Sequence, residues 1–300
     1  MKKKKITVIG SINMDLVTKV SRIPMVGETV MGESFYTTPG GKGANQAVAA
    51  ARLGADVSMI GGVGDDVFGR ELIANLKSHS IDVTKVGIFP GISTGIASIT
   101  LSGGDNSIIV TPGANHLVTT DYLLKHKEAI AASDCVILQL EIPMETVMMA
   151  ASIAKNHGAR VILNPAPFHQ LPEQLLNDVD YLTPNEHEQK QLLLSLTERR
   201  KEDIAKKCIV TKGSRGVAIY KDGEEEIPGY RVEAADTTGA GDTFNGALAF
   251  ALSEGFGLKE ACRFANAAAA LSVTKLGAQG GMPTRGEVED LMESSAKNKS

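Results

Sequence analysis

The run Asp236-Thr237-Thr238-Gly239-Ala240-Gly241-Asp242-Thr243-Phe244 gathers residue types that handle phosphate. Glycines at 239 and 241 let backbone N–H groups converge with no side chain in the way. The long helix expected to start there adds partial positive charge at its N-terminus. Together they make a hole suited to a phosphoryl group, with the Asp242 carboxylate beside it as a base. An aspartate in a first helical turn is also locally stabilising, so Asp242 reads as well as an ordinary helix-start residue. The run is not a Walker A loop: Gly41-Lys42 is followed by Gly43, and position 36 is a tyrosine. No G-x-G-x-x-G follows the first strand-like segment either, which disfavours dinucleotide chemistry.

Further polar groups are spaced so as to face the same cleft. Asn13 and Asp15 are two apart, and in an extended chain both point the same way. An amide and a carboxylate side by side can take adjacent hydroxyls of a sugar, and a capped turn is the alternative. Pro39-Gly40-Gly41-Lys42-Gly43-Ala44-Asn45-Gln46 opens a helix with three glycines, which allow backbone to approach a ligand, with Asn45 toward the cleft. A flexible turn with a surface lysine reads the same. Glu141 ends an apolar run before Pro143, at the kind of strand end where α/β sheets bind ligands, or is a plain surface glutamate. Asn185 and Glu188 share a helical face and could orient hydrated Mg2+. The same pair fits a helix N-cap with its capping-box glutamate, and the intervening His187 reads as a surface residue. Thr211-Lys212-Gly213-Ser214-Arg215-Gly216 is a turn between apolar runs 209–210 and 217–220, able to carry a nucleotide or simply to close a hairpin.

The elements that must position these groups alternate. Strand-like runs at 6–9, 57–60, 135–140 and 161–163 interleave with helical patterns at 42–53, 68–78 and 144–156. The 135–140 and 161–163 runs are apolar enough for burial on both faces. Such repetition predicts an α/β fold with a mostly parallel central sheet flanked by helices. A strand-like stretch at 230–234 precedes the Asp242 helix, expected over 242–254 and ended by Gly255; a second helix over 258–275 is ended by Gly277. Two segments break the pattern, about 15–38 and 94–110. They carry hairpin-like strands and turn residues such as Pro24, Gly27, Gly32 and Gly103-Gly104-Asp105-Asn106, and predict a small separate sheet.

The 300 residues, 43% hydrophobic and 22% charged, can bury a substantial core. A formal charge of -4 gives no general attraction to nucleic acid or anionic membrane. With 4% aromatics and no Trp, stacking platforms for single-stranded nucleic acid are hard to build. Cys135, Cys208 and Cys262 are scattered and odd in number, which points to a reduced, cytoplasmic chain. Lys2 to Lys5 are followed by too short an apolar run for a signal peptide, and no stretch approaches a membrane span.

Taken together, the chain resembles the ribokinase-like family of carbohydrate kinases. The likeness runs from Gly10-Ser11-Ile12-Asn13-Met14-Asp15 to Gly277-Ala278-Gln279-Gly280-Gly281-Met282-Pro283, and Gly40 to Gln46 and Asp236 to Phe244 resemble the family's two signatures. The resemblance implies a three-layer sandwich with a small β-sheet lid, built as one domain over 1–300 with lid strands inserted at about 15–38 and 94–110. It implies phosphorylation of D-ribose at its 5-hydroxyl by ATP. Asp242 would be the base, with Gly239, Ala240 and Gly241 as anion hole. Asn13, Met14, Asp15, Gly41, Lys42, Gly43, Ala44, Asn45 and Glu141 would hold the sugar together with Asp242. Asn185, Thr211, Lys212, Gly213, Ser214, Arg215, Gly216 and Asn266 would line the ATP site with Gly241 and Asp242. Glu188 would influence Mg2+ use. A K+ site would draw on Asp236 and Thr238, with backbone at Ser272, Lys275, Gly277 and Gly281. Gly281 stands where some members have a hydroxyl residue, so only its backbone could contribute. The lid implies a homodimer. Another sugar or a nucleoside as substrate, or a non-catalytic sugar-binding protein, are the competing expectations. The intact Gly-Ala-Gly-Asp disfavours the last.

Overall fold

The computed structural model describes residues 3–103, 105–220 and 223–297, so Lys2 and Gly104 lie outside the described residues. In chain order the strands are β1 (Lys5–Ile9), β2 (Asn13–Val20), β3 (Gly32–Gly40), β4 (Asp56–Gly64), β5 (Asp82–Phe89), β6 (Gly95–Ser102), β7 (Asp105–Thr111), β8 (Cys135–Leu138), β9 (Arg160–Leu163), β10 (Tyr181–Leu182), β11 (Ile209–Thr211), β12 (Gly216–Ile219) and β13 (Glu225–Pro228). Six form a sheet in the order β10-β9-β8-β1-β4-β5, and every pairing in it is parallel.

Its central strands are apolar on both faces because both faces are covered. Side chains alternate across the strand. Ile6, Val8, Cys135, Ile137 and Ile162 pack to one side, under the helices Lys42–Arg52, Val67–Ser78, Ala240–Ser253 and Leu258–Ser272. Val136, Leu138, Val161 and Leu163 pack to the other, under helices that include Met144–Asn156 and Glu173–Asp178. The result is the three-layer α/β sandwich that the alternating pattern predicts.

The two irregular segments meet in a separate four-stranded sheet, β3-β2-β6-β7. Its hairpin-like pairs β2/β3 and β6/β7 are antiparallel, while β2 and β6 run parallel and join them. A third, antiparallel sheet, β11-β12-β13, lies beyond the main one.

Two local expectations are corrected. Residues 230–234 are not a strand. Pro228 ends β13, and the following Gly229 N–H turns back to the Arg215 carbonyl, so the chain leaves the sheet there. Gly277 does not end the helix before it, which stops at Ser272. The Val273 carbonyl is taken by the N–H groups of Ala235 and Asp236, and Gly277 sits further on in a loop with φ 81°.

Candidate active site

Asp242 lies in the first turn of the helix Ala240–Ser253, with Gly239 as N-cap in the left-handed conformation, φ 78°. That first turn leaves N–H groups without intrahelical partners, aimed out of the helix end. Space at the Gly241 Cα is open, so the backbone there is accessible to a ligand. The helix is buried almost all round, and Asp242 itself is only 8% exposed.

A buried carboxylate must be solvated by the protein. Asn45 Nδ2 donates to Asp242 Oδ2 and Gln46 Nε2 donates to Oδ1, each at 2.9 Å. The helices Lys42–Arg52 and Ala240–Ser253 approach closely because small residues meet between them. A Cβ on Gly246, one turn beyond Asp242, would lie 2.6 Å from the Ala49 Cβ. Asn45 is held in turn by Gln279, whose Nε2 donates to Asn45 Oδ1 at 2.9 Å.

On the lid side, β2 places Asn13 and Asp15 on one face, both buried. Asn13 Oδ1 accepts from Asn115 Nδ2 at 2.7 Å, and Asn115 Oδ1 accepts from the Ile12 N–H at 2.9 Å. Met14 alternates to the opposite face and packs, with no exposed surface, in the hydrophobic core, so its side chain does not belong to the sugar pocket. Asp15 fits only because residue 40 is glycine: a Cβ there would lie 2.3 Å from its Oδ2. Burial, then the charges of Glu141 and Asp242, push the Asp15 carboxyl up to about 7, with Lys42 opposing them.

Glu141 Oε2 accepts from the Ser11 hydroxyl at 2.5 Å, and the Lys42 backbone N–H points at the same oxygen from 3.5 Å. Burial alone would lower the Lys42 ammonium, but Asp242, Glu141, Glu188 and Asp15 around it raise it above the ordinary lysine value. Lys42 is therefore a half-buried cation inside a ring of carboxylates rather than a free surface lysine. Gly41, Gly43 and Ala44 pack with their backbone against Ser11 and its neighbours.

On the other side of Gly241 a cavity of about 510 Å³ is lined by Thr211, Gly213, Ser214, Gly216, Tyr230, Ala240, Phe244 and Asn266. Asn266 is oriented by donating to the Ile227 and Pro228 carbonyls. Its size and largely apolar walls suit a nucleoside, and Gly241 is part of its lining. Lys212 and Arg215 are absent from this lining. Lys212 is ion-paired with Glu224 and Glu226, and Arg215 with Glu186, so the turn meets the cavity through Thr211, Gly213, Ser214 and Gly216.

Asn185 and Glu188 form a reciprocal capping box, each accepting from the other's backbone N–H at 2.8 Å. Asn185 also bridges to Thr211, which sets this helix start beside the nucleotide-sized cavity. Burial, only partly offset by the Asn185 N–H, Lys42 and His187, raises the Glu188 carboxyl.

Asp236 accepts from the N–H groups of Thr238 and Gly277, one on each oxygen at 2.9 Å. Burial alone would raise its carboxyl, but hydrogen bonding by the Thr238 side chain, then by these two N–H groups, outweighs it and holds the group below the ordinary range. Each carboxylate oxygen keeps a lone pair, the kind of oxygen a hard cation accepts. Gly281 lies tight against the Ser272 carbonyl, so that a Cβ would come within 1.9 Å of it. Lys275 is exposed at the outer edge of this loop.

Several groups received no role from the sequence, although Ser11, Gln46 and Gln279 lie inside the quoted motif runs. Gln46, Ser11, Asn115, Gln139, Asn164 and Gln279 are buried polar residues that contact the site residues or one another. Their signal is a polar residue inside an apolar run, as at Gln46 before Ala47-Val48-Ala49-Ala50.

Residues 3–285 match the model of the pfkB family of carbohydrate kinases. The chain is 50% identical over 292 residues to a ribokinase of Bacillus subtilis (strain 168), covering 96% of this chain and 99% of that one. It is also 50% identical over 292 residues to a ribokinase of Lactococcus lactis subsp. lactis (strain IL1403), covering 95% and 96%. Among solved structures, Arabidopsis thaliana ribokinase complexed with ribose and ATP superposes with a TM-score of 0.86 at 33% identity, covering 97% of this chain and 99% of that one.

Proposed function

The chain belongs to the pfkB family of carbohydrate kinases, and from that premise we propose that it transfers the γ-phosphoryl group of ATP to the 5-hydroxyl of D-ribose. One observation carries the reading most directly. Asp242 is the group at which the two halves of the site meet: it bonds Asn45 on the sugar side and starts the helix whose Gly241 borders the nucleotide-sized cavity.

Phosphoryl transfer asks for alignment and charge neutralisation more than for covalent chemistry. Asn13, Asp15, Asn45 and Glu141 hold ribose by its hydroxyls. Asp242 orients the primary hydroxyl and accepts its proton as the new O–P bond forms and the bond to ADP breaks. The N–H groups of Gly239 and Gly241 stabilise charge on the transferring group, whereas the expected third donor, the Ala240 N–H, is turned to the Thr237 carbonyl at 3.3 Å. The sheet of β2, β3, β6 and β7 excludes water as a lid, which suppresses hydrolysis of ATP.

Asn185 and Glu188 would help to hold hydrated Mg2+, which would supply charge neutralisation for the phosphates. Asp236 and Thr238, with backbone at Ser272, Lys275, Gly277 and Gly281, would hold K+, which would supply fixed positive charge near the start of the Asp242 helix. Exposed Phe35, Tyr36, Ile108 and Ile109 on the lid sheet support its use as a homodimer interface. The three buried free thiols, each pushed up to about 12 by burial, support a reducing, cytoplasmic setting.

The test is ADP production from MgATP in K+ buffer with a panel of sugars and nucleosides. Turnover with D-ribose above all others is the expected result. Turnover with another sugar keeps the mechanism and moves the substrate, and silence across the panel overturns the reading.

A further inference from the structure

We infer that Gln46 is a positioning residue for Asp242, its amide locked in the donating orientation by Gln139 from behind. The inference rests on the proposed kinase reading for its kinetic consequences. Gln46 has no exposed surface and therefore cannot touch a substrate; whatever it does for the reaction it does through its neighbours.

Those neighbours use every polar atom of its amide. Nε2 donates to Asp242 Oδ1 at 2.9 Å and to Asn164 Oδ1 at 3.3 Å. Oε1 accepts from Gln139 Nε2 at 2.7 Å. A carboxamide flipped by half a turn would set its oxygen against the Asp242 carboxylate, two acceptors with no hydrogen between them. The Gln139 N–H opposes that flip, because it would then face an NH2 group. Asn164 is fixed in its turn by donating Nδ2 to the Thr183 carbonyl at 3.2 Å. Asn45 is committed by the same logic on the other carboxylate oxygen, since Gln279 donates to its Oδ1 and Asn75 donates to Gln279 Oε1 at 2.7 Å. Asp242 is thus clamped by one amide donor per oxygen and keeps a lone pair on each for a substrate hydroxyl.

Gln139 itself follows an apolar strand, fully buried, and its Oε1 has no hydrogen-bond partner among the described residues. Leaving an acceptor bare in a core is unfavourable, so the residue is not there for stability alone. Room for it comes from Gly10: a Cβ at that position would lie 1.8 Å from Gln139 Oε1. Gly10 has no positive φ, so its backbone conformation alone does not call for glycine. The line Gly10, Gln139, Gln46, Asp242 gives that glycine its reason.

The test compares wild type with Gln46→Met and Gln139→Met, which keep volume and remove the amide. Losing one hydrogen bond to a charged group should lower kcat roughly tenfold in Gln46→Met. KM for sugar and for ATP should stay within about twofold, as only the transition state uses the aligned base. The acid limb of the pH–kcat profile should move to higher pH, because the ionised carboxylate has lost a donor. Gln139→Met should shift both readouts the same way by less, and the double variant should be no worse than Gln46→Met. A lowered melting temperature with kcat and acid limb unchanged in both variants means a structural role only and overturns the inference. The 13C-carboxyl titration of Asp242 by NMR reads the same link without turnover. If wild type phosphorylates no sugar, the kinase reading fails, while a titration identical in wild type and both variants removes the Gln46 link itself.

Discussion

Asn45 and Asp242, 197 residues apart in sequence, share a hydrogen bond of 2.9 Å from the amide Nδ2 to the carboxylate Oδ2. The bond joins the helix Lys42–Arg52 to the helix Ala240–Ser253 at the carboxylate that, in the proposed reading, takes the proton. It ties positioning of the sugar and readiness of the base to one contact.

Replacing Asp242 with asparagine keeps the shape of the side chain, sets its NH2 group against one of the two amide donors and removes the base. General-base catalysis is worth about 100- to 10,000-fold, and kcat should fall within that range. Ribose affinity, measured by calorimetry, should change by no more than a few-fold. A variant that turns over at near wild-type rate removes Asp242 from its role.

The Asp15 carboxyl, raised to about 7, makes sugar binding pH-dependent. Sugar hydroxyls donate to the ionised form, so the KM for ribose should fall as pH rises through about 7, and Asp15→Asn should flatten that dependence while raising KM throughout. Stability runs the opposite way. The folded chain holds the Asp15 proton over a window, from the ordinary value of 3.8 to about 7, in which the unfolded chain has released it. Its contribution is therefore greatest below that window and is lost as pH rises through it. The melting temperature of the ligand-free protein should drop less between pH 5 and 8 in Asp15→Asn than in wild type; equal slopes would sink the assignment.

Gly40→Ala sets a methyl group against the Asp15 carboxylate, where the Cβ would stand 2.3 Å from Oδ2. Overpacking of this kind costs about 1–3 kcal/mol. Steady-state kinetics should show KM for ribose up at least fivefold with KM for ATP little changed, since the nucleotide cavity is on the far side of Gly241. An equal rise in both constants would mean that the substitution disturbs the fold rather than the sugar pocket.

Asp236→Ala removes the acceptor that ties Thr238 to Gly277 and, in the proposed reading, the charged ligand of K+. Wild type should be faster in K+ than in choline buffer at equal ionic strength. The variant should be slow in both and respond to neither. A wild type indifferent to the cation argues against the site, and a variant still activated by K+ places the ion elsewhere.

What the chain makes legible locally is what depends on near neighbours in sequence. The parallel sheet is readable because strands buried on both faces must be apolar throughout, as at 135–138 and 161–163. The helix start that carries Asp242 is readable because glycines flanking a helix start are a local device, Gly239 as N-cap and Gly241 in the first turn. Asn13 and Asp15 share a face because strand geometry repeats every two residues, and the same rule carries Met14 into the core. Asn185 and Glu188 look alike as cap and as ligand in the sequence because both roles need oxygen donors three residues apart, and only their coordinates add the reciprocal capping box.

Tertiary structure decided what depends on long-range contact. Lys212 and Arg215 turn to glutamates rather than to the cavity because Glu186, Glu224 and Glu226 happen to come within reach. The Asp15 carboxyl is raised because folding removes its water and sets Glu141 and Asp242 around it. The carboxamides of Gln46, Gln139, Asn164 and Gln279 carry no spacing rule. Gln46 reaches Asp242 directly, Gln139 and Asn164 bond Gln46, and Gln279 bonds Asn45, because a buried charge and its donors must be satisfied by whichever polar groups the packed elements bring within hydrogen-bond distance, and no residue's neighbours in sequence record who those will be.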